Sequence, residues 1–233
     1  MKTDKNVYRA RFIERPNRFI AYVYINGEKV KVHVPNTGRC REILTKDTDV
    51  ILREENSISR TTKYDLICGY KGDKIINIDS QIPNVVVHEA LANKEIKKLS
   101  RYKIIEREKT YKNSRFDFKL SIQDEIYYLE VKGVTLEENG HSMFPDAPTE
   151  RGRKHLLELI EAKREGYGAG VLFLAQMDNI KSFSPNLKMD PLFSKALIEC
   201  SKNGVDIFAY ECSVTEKSIT LKDEIEIILD DLE

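Results

Sequence analysis

Two neighbouring stretches, Ser114-Arg-Phe-Asp-Phe-Lys119 and Tyr128-Leu-Glu-Val-Lys-Gly133, decide how the second half of the chain folds. In both stretches polar and apolar residues alternate, which is typical of strands with one buried face. A two-residue turn at Gln123-Asp124 would join them, and the antiparallel register of such a turn sets Asp117 directly opposite Glu130. The sequence therefore predicts a hairpin that carries two opposed carboxylates.

Opposed carboxylates about 5 Å apart repel each other unless they share a cation or a proton. A hard divalent cation such as Mg²⁺ or Mn²⁺ satisfies both groups, so we predict a metal site formed by Asp117, Glu130 and the Val131 carbonyl. Lys132 lies two positions after Glu130, where an amine can activate a water or neutralise charge on a phosphate. Asp117, Glu130 and Lys132 are thus the predicted catalytic residues. The alternative is an ordinary salt bridge of Lys132 on a solvated face.

A glutamate on a helix is a candidate further ligand. The spacing above has the form of the PD-(D/E)xK nuclease pattern, although Phe116 replaces its proline, and nucleases of this type often place a helix glutamate at the metal. Residues 84–99 have helical periodicity, with Asn84 as the expected N-cap. Glu89 falls inside the apolar stripe of this helix, which is formed by Val85, Val86, Ala92 and Ile96. The alternative is a glutamate at the edge of the stripe that reaches solvent.

A second helix is predicted from the cap at Thr149 to Gly166. Arg151, Lys154 and His155 share one of its faces by the i, i+3, i+4 rule. Two cations at the start of a helix do not complement its dipole, but they suit a phosphate partner. These three residues are therefore predicted to bind nucleic acid, with a merely hydrophilic outer face as the alternative.

The first 82 residues show the alternation of short strands, over residues 7–13, 19–25, 30–34, 50–53, 65–70 and 74–78. Asn26-Gly27 is a strong hairpin signal, because both residues tolerate positive φ. A short helix is expected over residues 39–44, between the third and fourth strands. This layout resembles an OB-type barrel with one strand to spare, whose open face often holds oligonucleotides. Arg39 and Arg41 are the predicted phosphate contacts in this part.

After residue 82 the spacing of apolar residues changes from the period of two typical of strands to the period of 3.6 typical of helices. The expected order is helix, three strands, a loop with Gly140, Pro145 and Pro148, then helix, strand, helix and strand. Asp190-Pro191 marks the start of the third helix, and Ala169 begins an apolar run typical of a strand buried on both faces. We predict two domains, residues 1–82 and 83–233.

Composition narrows the function classes. The 233 residues carry 38 basic and 38 acidic side chains, but residues 1–82 hold 16 basic and 11 acidic ones, and six acids lie in the last eleven residues. A uniformly basic coat is excluded, whereas a basic N-terminal part can meet phosphate. No apolar run approaches the roughly 20 residues of a membrane span, and no signal peptide is evident. Four cysteines without a Cys-x-x-Cys pair argue against a zinc ribbon and fit a cytoplasmic protein.

Several strings in this order resemble the sugar fermentation stimulation protein family of bacteria and archaea. They are His33-Val-Pro-Asn-Thr-Gly38, Arg115-Phe-Asp117, Glu130-Val-Lys-Gly-Val-Thr135, Phe144-Pro-Asp-Ala147, Thr149-Glu-Arg-Gly-Arg-Lys-His-Leu156, Gln176, Phe183-Ser-Pro185 and Asp190-Pro-Leu-Phe193. The resemblance implies an N-terminal OB-like β-barrel followed by a PD-(D/E)xK restriction-endonuclease-like α/β domain. It also implies non-specific DNA binding and a regulatory link to maltose and other sugar metabolism.

Two functions from different classes follow. The first is a metal-dependent nuclease that acts on DNA, with RNA as the alternative substrate. The second is a non-catalytic DNA-binding regulator whose nuclease-like site is vestigial. A phosphodiesterase for a small nucleotide is a third, weaker interpretation. The intact Asp117, Glu130 and Lys132 favour retained metal chemistry.

Overall fold

The computed structural model describes residues 1–56 and 60–229. Within them the strands are β1 Val7–Glu14, β2 Ile20–Ile25, β3 Glu28–His33, β4 Asp49–Glu54, β5 Tyr64–Lys71, β6 Lys74–Asn77, β7 Ile104–Tyr111, β8 Ser114–Ile122, β9 Glu125–Val134, β10 Leu136–Glu138, β11 His141–Phe144, β12 Gly168–Ala175, β13 Ser182–Pro185, β14 Asp206–Val214, β15 Ile219–Glu224 and β16 Glu226–Ile227. The α-helices are α1 Ile82–Ala92, α2 Glu150–Arg164 and α3 Pro191–Lys202. A 3₁₀ turn spans Lys97–Leu99.

The first five strands close into a barrel in the order β1-β2-β3-β5-β4, with the pair His33 and Asp65 completing the circle between β3 and β5. The hairpin turn is the predicted one, since Asn26 and Gly27 have φ of 51° and 85°. The spare sixth strand, β6, pairs with β5 and bridges from Ile76 to Met177. It therefore connects the barrel to the second sheet instead of belonging to the barrel wall.

The expected helix over residues 39–44 is wrong. Cys40 has a φ of 45°, in the left-handed region, and its carbonyl accepts the N–H groups of both Ile43 and Leu44. A buried residue held in that conformation starts a tight turn and cannot begin an α-helix.

A second sheet has the order β15-β14-β12-β9-β8-β7, and its three central strands β9, β12 and β14 run parallel. Alternate residues of β12 point to opposite faces. Val171 and Phe173 pack with the core beneath α2 and α3, whereas Leu172 and Leu174 pack with the core beneath α1. This explains the continuous apolar run in the sequence, because β12 is covered by helices on both sides.

The helices confirm two predicted caps and correct a third. The Thr149 hydroxyl accepts the Gly152 N–H at 3.0 Å, and the Asp190 carboxylate accepts the Phe193 N–H at 2.9 Å. The first helix, however, begins at Ile82 and ends at Ala92 rather than spanning residues 84–99. Proline is tolerated in a first helical turn, and Lys94, with a φ of 61°, ends the helix early.

The predicted loop around Gly140 contains a hairpin. β10 and β11 pair antiparallel, and β13 and β16 extend this pair into a four-stranded sheet. These strands have two to four residues each, too few for a periodic pattern to stand out in the sequence. Among the described residues, no helix is long and apolar enough to cross a membrane.

Candidate active site

The hairpin of β8 and β9 has the predicted register. Lys119 pairs with Tyr128 and Phe118 with Leu129, and Gln123 in the turn has a φ of 52°. Beyond Phe118 the ladder gives way to a side-chain contact, in which Asp117 Oδ2 accepts the N–H of Val131 at 2.8 Å. The Asp117 carboxylate thus lies against the β9 backbone, next to Glu130.

Asp117 is held by a residue from α1. Its Oδ1 accepts a hydrogen bond from Asn84 Nδ2 at 2.7 Å. The pKa of Asp117 is raised to about 6, because the carboxyl is buried and because Glu130 lies beside it. The hydrogen bonds from Val131 and Asn84 lower this pKa but do not offset the burial and the neighbouring negative charge. In its ionised form Asp117 is therefore poorly compensated.

Glu130 is almost fully buried, and its two oxygens differ. Oε1 accepts hydrogen bonds from Lys132 Nζ at 2.6 Å and from His155 Nδ1 at 2.5 Å. Burial alone would raise the pKa of Glu130, but the Lys132 charge and the His155 hydrogen bond hold it below its usual range. Oε2 is buried without a hydrogen-bond partner. An ionised carboxylate oxygen left in this state costs free energy unless something positive is bound there.

These observations fit a divalent cation between the two carboxylates. Each Asp117 oxygen keeps a free lone pair beyond its one hydrogen bond, and Glu130 Oε2 has both of its own. Among residues 1–56 and 60–229, no three His, Cys, Asp or Glu side chains converge as a complete metal cage. The donor set is therefore two carboxylates with backbone and water oxygens, which suits a hard cation that retains water. The predicted Val131 carbonyl would join them.

The salt bridge that was the alternative for Lys132 does form, but the face is not solvated. The side chains of Lys132 and Glu130 are 15% and 4% exposed. The next residue, Gly133, is required by close packing, because a Cβ there would fall onto Gln176 Oε1 and lie 2.7 Å from Pro83 Cγ. The backbone after Lys132 is thus packed tightly against α1 and β12.

The expectation that Glu89 lies in a buried stripe is wrong. Its side chain is 52% exposed and ion-pairs with the amino terminus of Met1, which also donates to the Ile219 carbonyl on β15. β15 lies four strand spacings from the β8 residue Asp117, or roughly 19 Å across the sheet. The helix residue that reaches the carboxylates is instead Asn84, which the sequence pattern indicated only as an N-cap.

The expectation that His155 shares an exposed face with Arg151 and Lys154 is also wrong. Arg151 and Lys154 are exposed, and Lys154 Nζ donates to the Asn113 carbonyl at 3.1 Å. His155 is buried and bonded to Glu130. The i, i+3, i+4 rule groups these residues on one side of α2, but it does not tell which of them packs against the sheet.

A cleft of about 950 Å³ opens between the barrel and the second sheet. Arg39 and Arg41 line it from the barrel side, while Gly133 and the α2 cap Thr149 line it from the other. Gly133 directly follows Lys132 along β9, so the predicted arginines face the end of the strand that carries Lys132, although Lys132, Glu130 and Asp117 do not themselves line the cleft.

An OB-like barrel followed by a mixed α/β domain of the restriction-endonuclease type defines the class of protein. A family model described as the sugar fermentation stimulation protein RE domain matches residues 81–218, and one described as the SfsA N-terminal OB domain matches residues 13–78. The chain belongs to the sugar fermentation stimulation protein family.

Similar proteins cover the whole chain. The sugar fermentation stimulation protein homolog of Clostridium acetobutylicum is 62% identical over 230 residues, which are 98% of this chain and 100% of that protein. The homolog of Clostridium tetani is 65% identical, and the match again covers 98% of this chain and 100% of that protein. The solved structure of Pyrococcus furiosus SfsA in complex with Ca²⁺ has a TM-score of 0.90 and 26% identity, and the match covers 98% of each chain.

Proposed function

We propose that this protein is a divalent-metal-dependent nuclease, a phosphodiester hydrolase that acts on DNA, with RNA as the alternative substrate. The observation that carries the proposal is the buried Glu130 beside the half-buried Asp117, with Glu130 Oε2 unpartnered and the pKa of Asp117 raised to about 6. Groups with strongly perturbed pKa values are common at functional sites, and the cleft begins at Gly133, three residues along β9 from Glu130.

The metal ligands would be Asp117, Glu130 and the Val131 carbonyl, and Mg²⁺ or Mn²⁺ would be the working ion. A bound cation of this kind supplies charge stabilisation at a phosphoryl oxygen. The relative from Pyrococcus furiosus was solved with Ca²⁺, which is likewise a hard, oxygen-seeking cation.

The remaining roles belong to side chains of this chain. Lys132, held by Glu130 at 2.6 Å, places an ammonium group beside the carboxylates, where it can orient a water or meet negative charge on a phosphate. His155 and Asn84 keep the two carboxylates in place through one hydrogen bond each. Arg39 and Arg41 on the barrel side of the cleft, and Arg151 and Lys154 on α2, would contact the phosphates.

A DNA-binding regulator without cleavage is the second candidate. It is favoured by the Lys132–Glu130 ion pair, which partly neutralises the site without a metal. Under this alternative residues 1–82 and 83–233 form two nucleic-acid-binding parts, and the link to sugar metabolism runs through DNA binding alone.

Incubation with Mg²⁺ or Mn²⁺ and labelled single- and double-stranded DNA and RNA separates the two candidates. For a nuclease, Lys132→Ala should cut the cleavage rate by about 10²- to 10⁴-fold, the range of one positioned catalytic group, and leave affinity within a few-fold. Lys119→Ala is the matched control, since Lys119 lies on the neighbouring strand and pairs with Glu106 instead. Absence of metal-dependent cleavage of every substrate by the unaltered protein would refute the nuclease.

A further inference from the structure

The outer surface of β2 presents two tyrosines. Ala21, Val23 and Ile25 point into the barrel and are buried, so the alternate residues Tyr22 and Tyr24 point outwards. Tyr24 is 49% exposed, a large fraction for an aromatic ring outside an interface. Alternate residues of a strand lie roughly 7 Å apart, so the two rings form a short row along β2.

Cations flank this row on both neighbouring strands. On β3, Lys29 pairs with Tyr24 and Lys31 with Tyr22, and on β1, Arg11 pairs with Tyr24. All three cations are exposed. We call the surface formed by Arg11, Tyr22, Tyr24, Lys29 and Lys31 the tyrosine face.

The ring of Tyr22 is covered by the side chain of Lys29. Lys29 Nζ lies 4.6 Å from the centroid of the Tyr22 ring and reaches Glu14 Oε1 on β1 at 3.1 Å. The side chains of this ion pair are 49% and 54% exposed, and pairs as exposed as this one are weak. An anionic partner that offers Lys29 a phosphate would release it from Glu14 and uncover Tyr22.

We propose that the tyrosine face binds single-stranded nucleic acid, with bases stacked on Tyr24 and Tyr22 and phosphates on Lys29, Lys31 and Arg11. Rows of aromatic rings beside cations bind single strands because every unpaired base has a π-face to stack. In a duplex those faces are occupied by neighbouring base pairs, so the same surface offers a duplex only charge.

The position of the face connects it to the cleft. β2 begins at Ile20, two residues after Arg18, and Arg18 lines the cleft together with Arg39 and Arg41. A strand lying along β2 would therefore run from the tyrosine face to the cleft. Here the inference rests on the proposed function, because it names single-stranded nucleic acid as the substrate that is led to Asp117 and Glu130.

Fluorescence anisotropy of labelled oligo(dT) and of a duplex of equal length, both in EDTA, measures this binding without cleavage. Tyr24→Ala should weaken the affinity for the single strand by about ten-fold, the loss typical of one stacked base, and change the affinity for the duplex far less. Tyr24→Phe, which keeps the ring, should bind like the unaltered protein. Ile104→Ala removes an equally exposed apolar side chain on β7 and should have no effect.

Charge variants give effects of opposite sign. Glu14→Gln should raise the affinity for the single strand, because it removes a negative charge beside the tyrosine face and frees Lys29 to contact a phosphate. Lys31→Ala should lower the slope of log affinity against log salt by about 0.7, the value for one phosphate contact with a single strand. Lys195→Ala, which removes an exposed cation from α3, is the control.

Equal single-strand affinity of Tyr24→Ala and the unaltered protein, or no single-strand binding at all, would overturn the inference. Tighter binding of duplex than of single strand, with no change in Tyr24→Ala, would overturn it as well. Binding in EDTA does not depend on cleavage. If the protein proves not to be a nuclease, single-strand binding at the tyrosine face could still be observed. If that binding fails, the proposed metal site at Asp117 and Glu130 is not affected.

Discussion

The barrel and the second domain each bury neighbouring carboxylates, but they compensate them differently. In the barrel, Asp65 accepts hydrogen bonds from His33 at 2.8 Å, from Arg53 at 3.1 Å and from Arg60. Arg53 also pairs with Asp79 at 3.2 Å. Burial would raise the pKa of Asp65, yet its partners, Arg60 first, hold it below the usual range.

The carboxylates of the second domain lack such compensation. Among the described residues, the buried side-chain atoms without a hydrogen-bond partner include Glu130 Oε2 but no oxygen of Asp65 or Asp79. The pKa of Asp117 is raised to about 6. Asp65 is thus fully compensated within the protein, while burial raises the pKa of Asp79 although both of its oxygens accept hydrogen bonds. Glu130 Oε2 has no such partner, and under the proposed function a bound cation would supply it. We therefore expect the cluster around Asp65 to stabilise the fold, and the pair Asp117 and Glu130 to bind a cation.

The largest expected effect on stability lies in the barrel. Arg53→Ala would leave Asp65 and Asp79 without a shared cation, and breaking a buried ion pair in this way typically costs about 3–5 kcal/mol. Urea unfolding measures the loss. Arg101→Ala, which breaks an exposed pair with Glu125, is the control and should cost less than about 1 kcal/mol. A small effect of Arg53→Ala would erase the contrast between the two carboxylate groups.

Asp117→Asn, in contrast, is expected to increase the free energy of unfolding of the metal-free protein. The folded-state pKa of about 6 lies above the ordinary value of 3.8, so ionised Asp117 destabilises the fold, and stability from this group is lost as the pH rises between those values. Removing the charge should therefore stabilise the protein by about 3 kcal/mol near neutral pH, and by only about 1 kcal/mol near pH 4.5. The asparagine can keep the Val131 hydrogen bond through its oxygen, and its NH₂ group can then donate to Asn84 once the Asn84 amide turns to present its oxygen.

Thermal or urea unfolding of both proteins at the two pH values checks this expectation. A variant less stable than the unaltered protein near neutral pH, or a difference that does not depend on pH, would mean that Asp117 is compensated like Asp65.

A smaller effect is expected at His155, which positions Glu130 and does not contact substrate. His155→Ala should weaken Mn²⁺ binding about ten- to 100-fold, the usual cost of losing a partner that orients a metal ligand. His155→Gln, which can still donate a hydrogen bond, should recover part of the affinity. His141→Ala is the matched control, because His141 bonds to Ser182 and Ser184 in the small sheet. Equal effects of the two alanine variants would make His155 merely structural.

The smallest effects concern the predicted phosphate contacts. Arg39→Ala, Arg41→Ala, Arg151→Ala and Lys154→Ala should each weaken duplex binding modestly and lower the salt slope by about one unit. If Arg151→Ala and Lys154→Ala leave both the affinity and the slope unchanged, that face of α2 is only solvated surface.

The site could be predicted from the sequence where neighbours along the chain determine the geometry. Alternation and a two-residue turn are local features, and by themselves they place Asp117 beside Glu130 and Lys132. The caps at Thr149 and Asp190 are local as well, and they appear as predicted.

The errors arise where packing between elements decides. A helical pattern groups residues by face, but the rotation of α2 about its own axis, set by packing against the sheet, buries His155 and exposes Arg151. For α1, the direction of the helix across the sheet carries Glu89 towards β15 and brings Asn84 to Asp117. The cluster around Arg53 had no sequence signal, because its members come from strands and connecting segments far apart in the sequence and meet only when the barrel closes.

Calorimetric titration with Mn²⁺ measures whether Asp117 and Glu130 together bind a cation. If Asp117 and Glu130 are incomplete without a cation, the unaltered protein should bind one Mn²⁺, and Asp117→Asn should bind it far more weakly while remaining folded. Asp49→Asn, which removes an exposed barrel carboxylate paired with Arg11, should bind Mn²⁺ like the unaltered protein. Unchanged Mn²⁺ binding by Asp117→Asn, or no binding by the unaltered protein, would mean that Asp117 and Glu130 do not form a cation site.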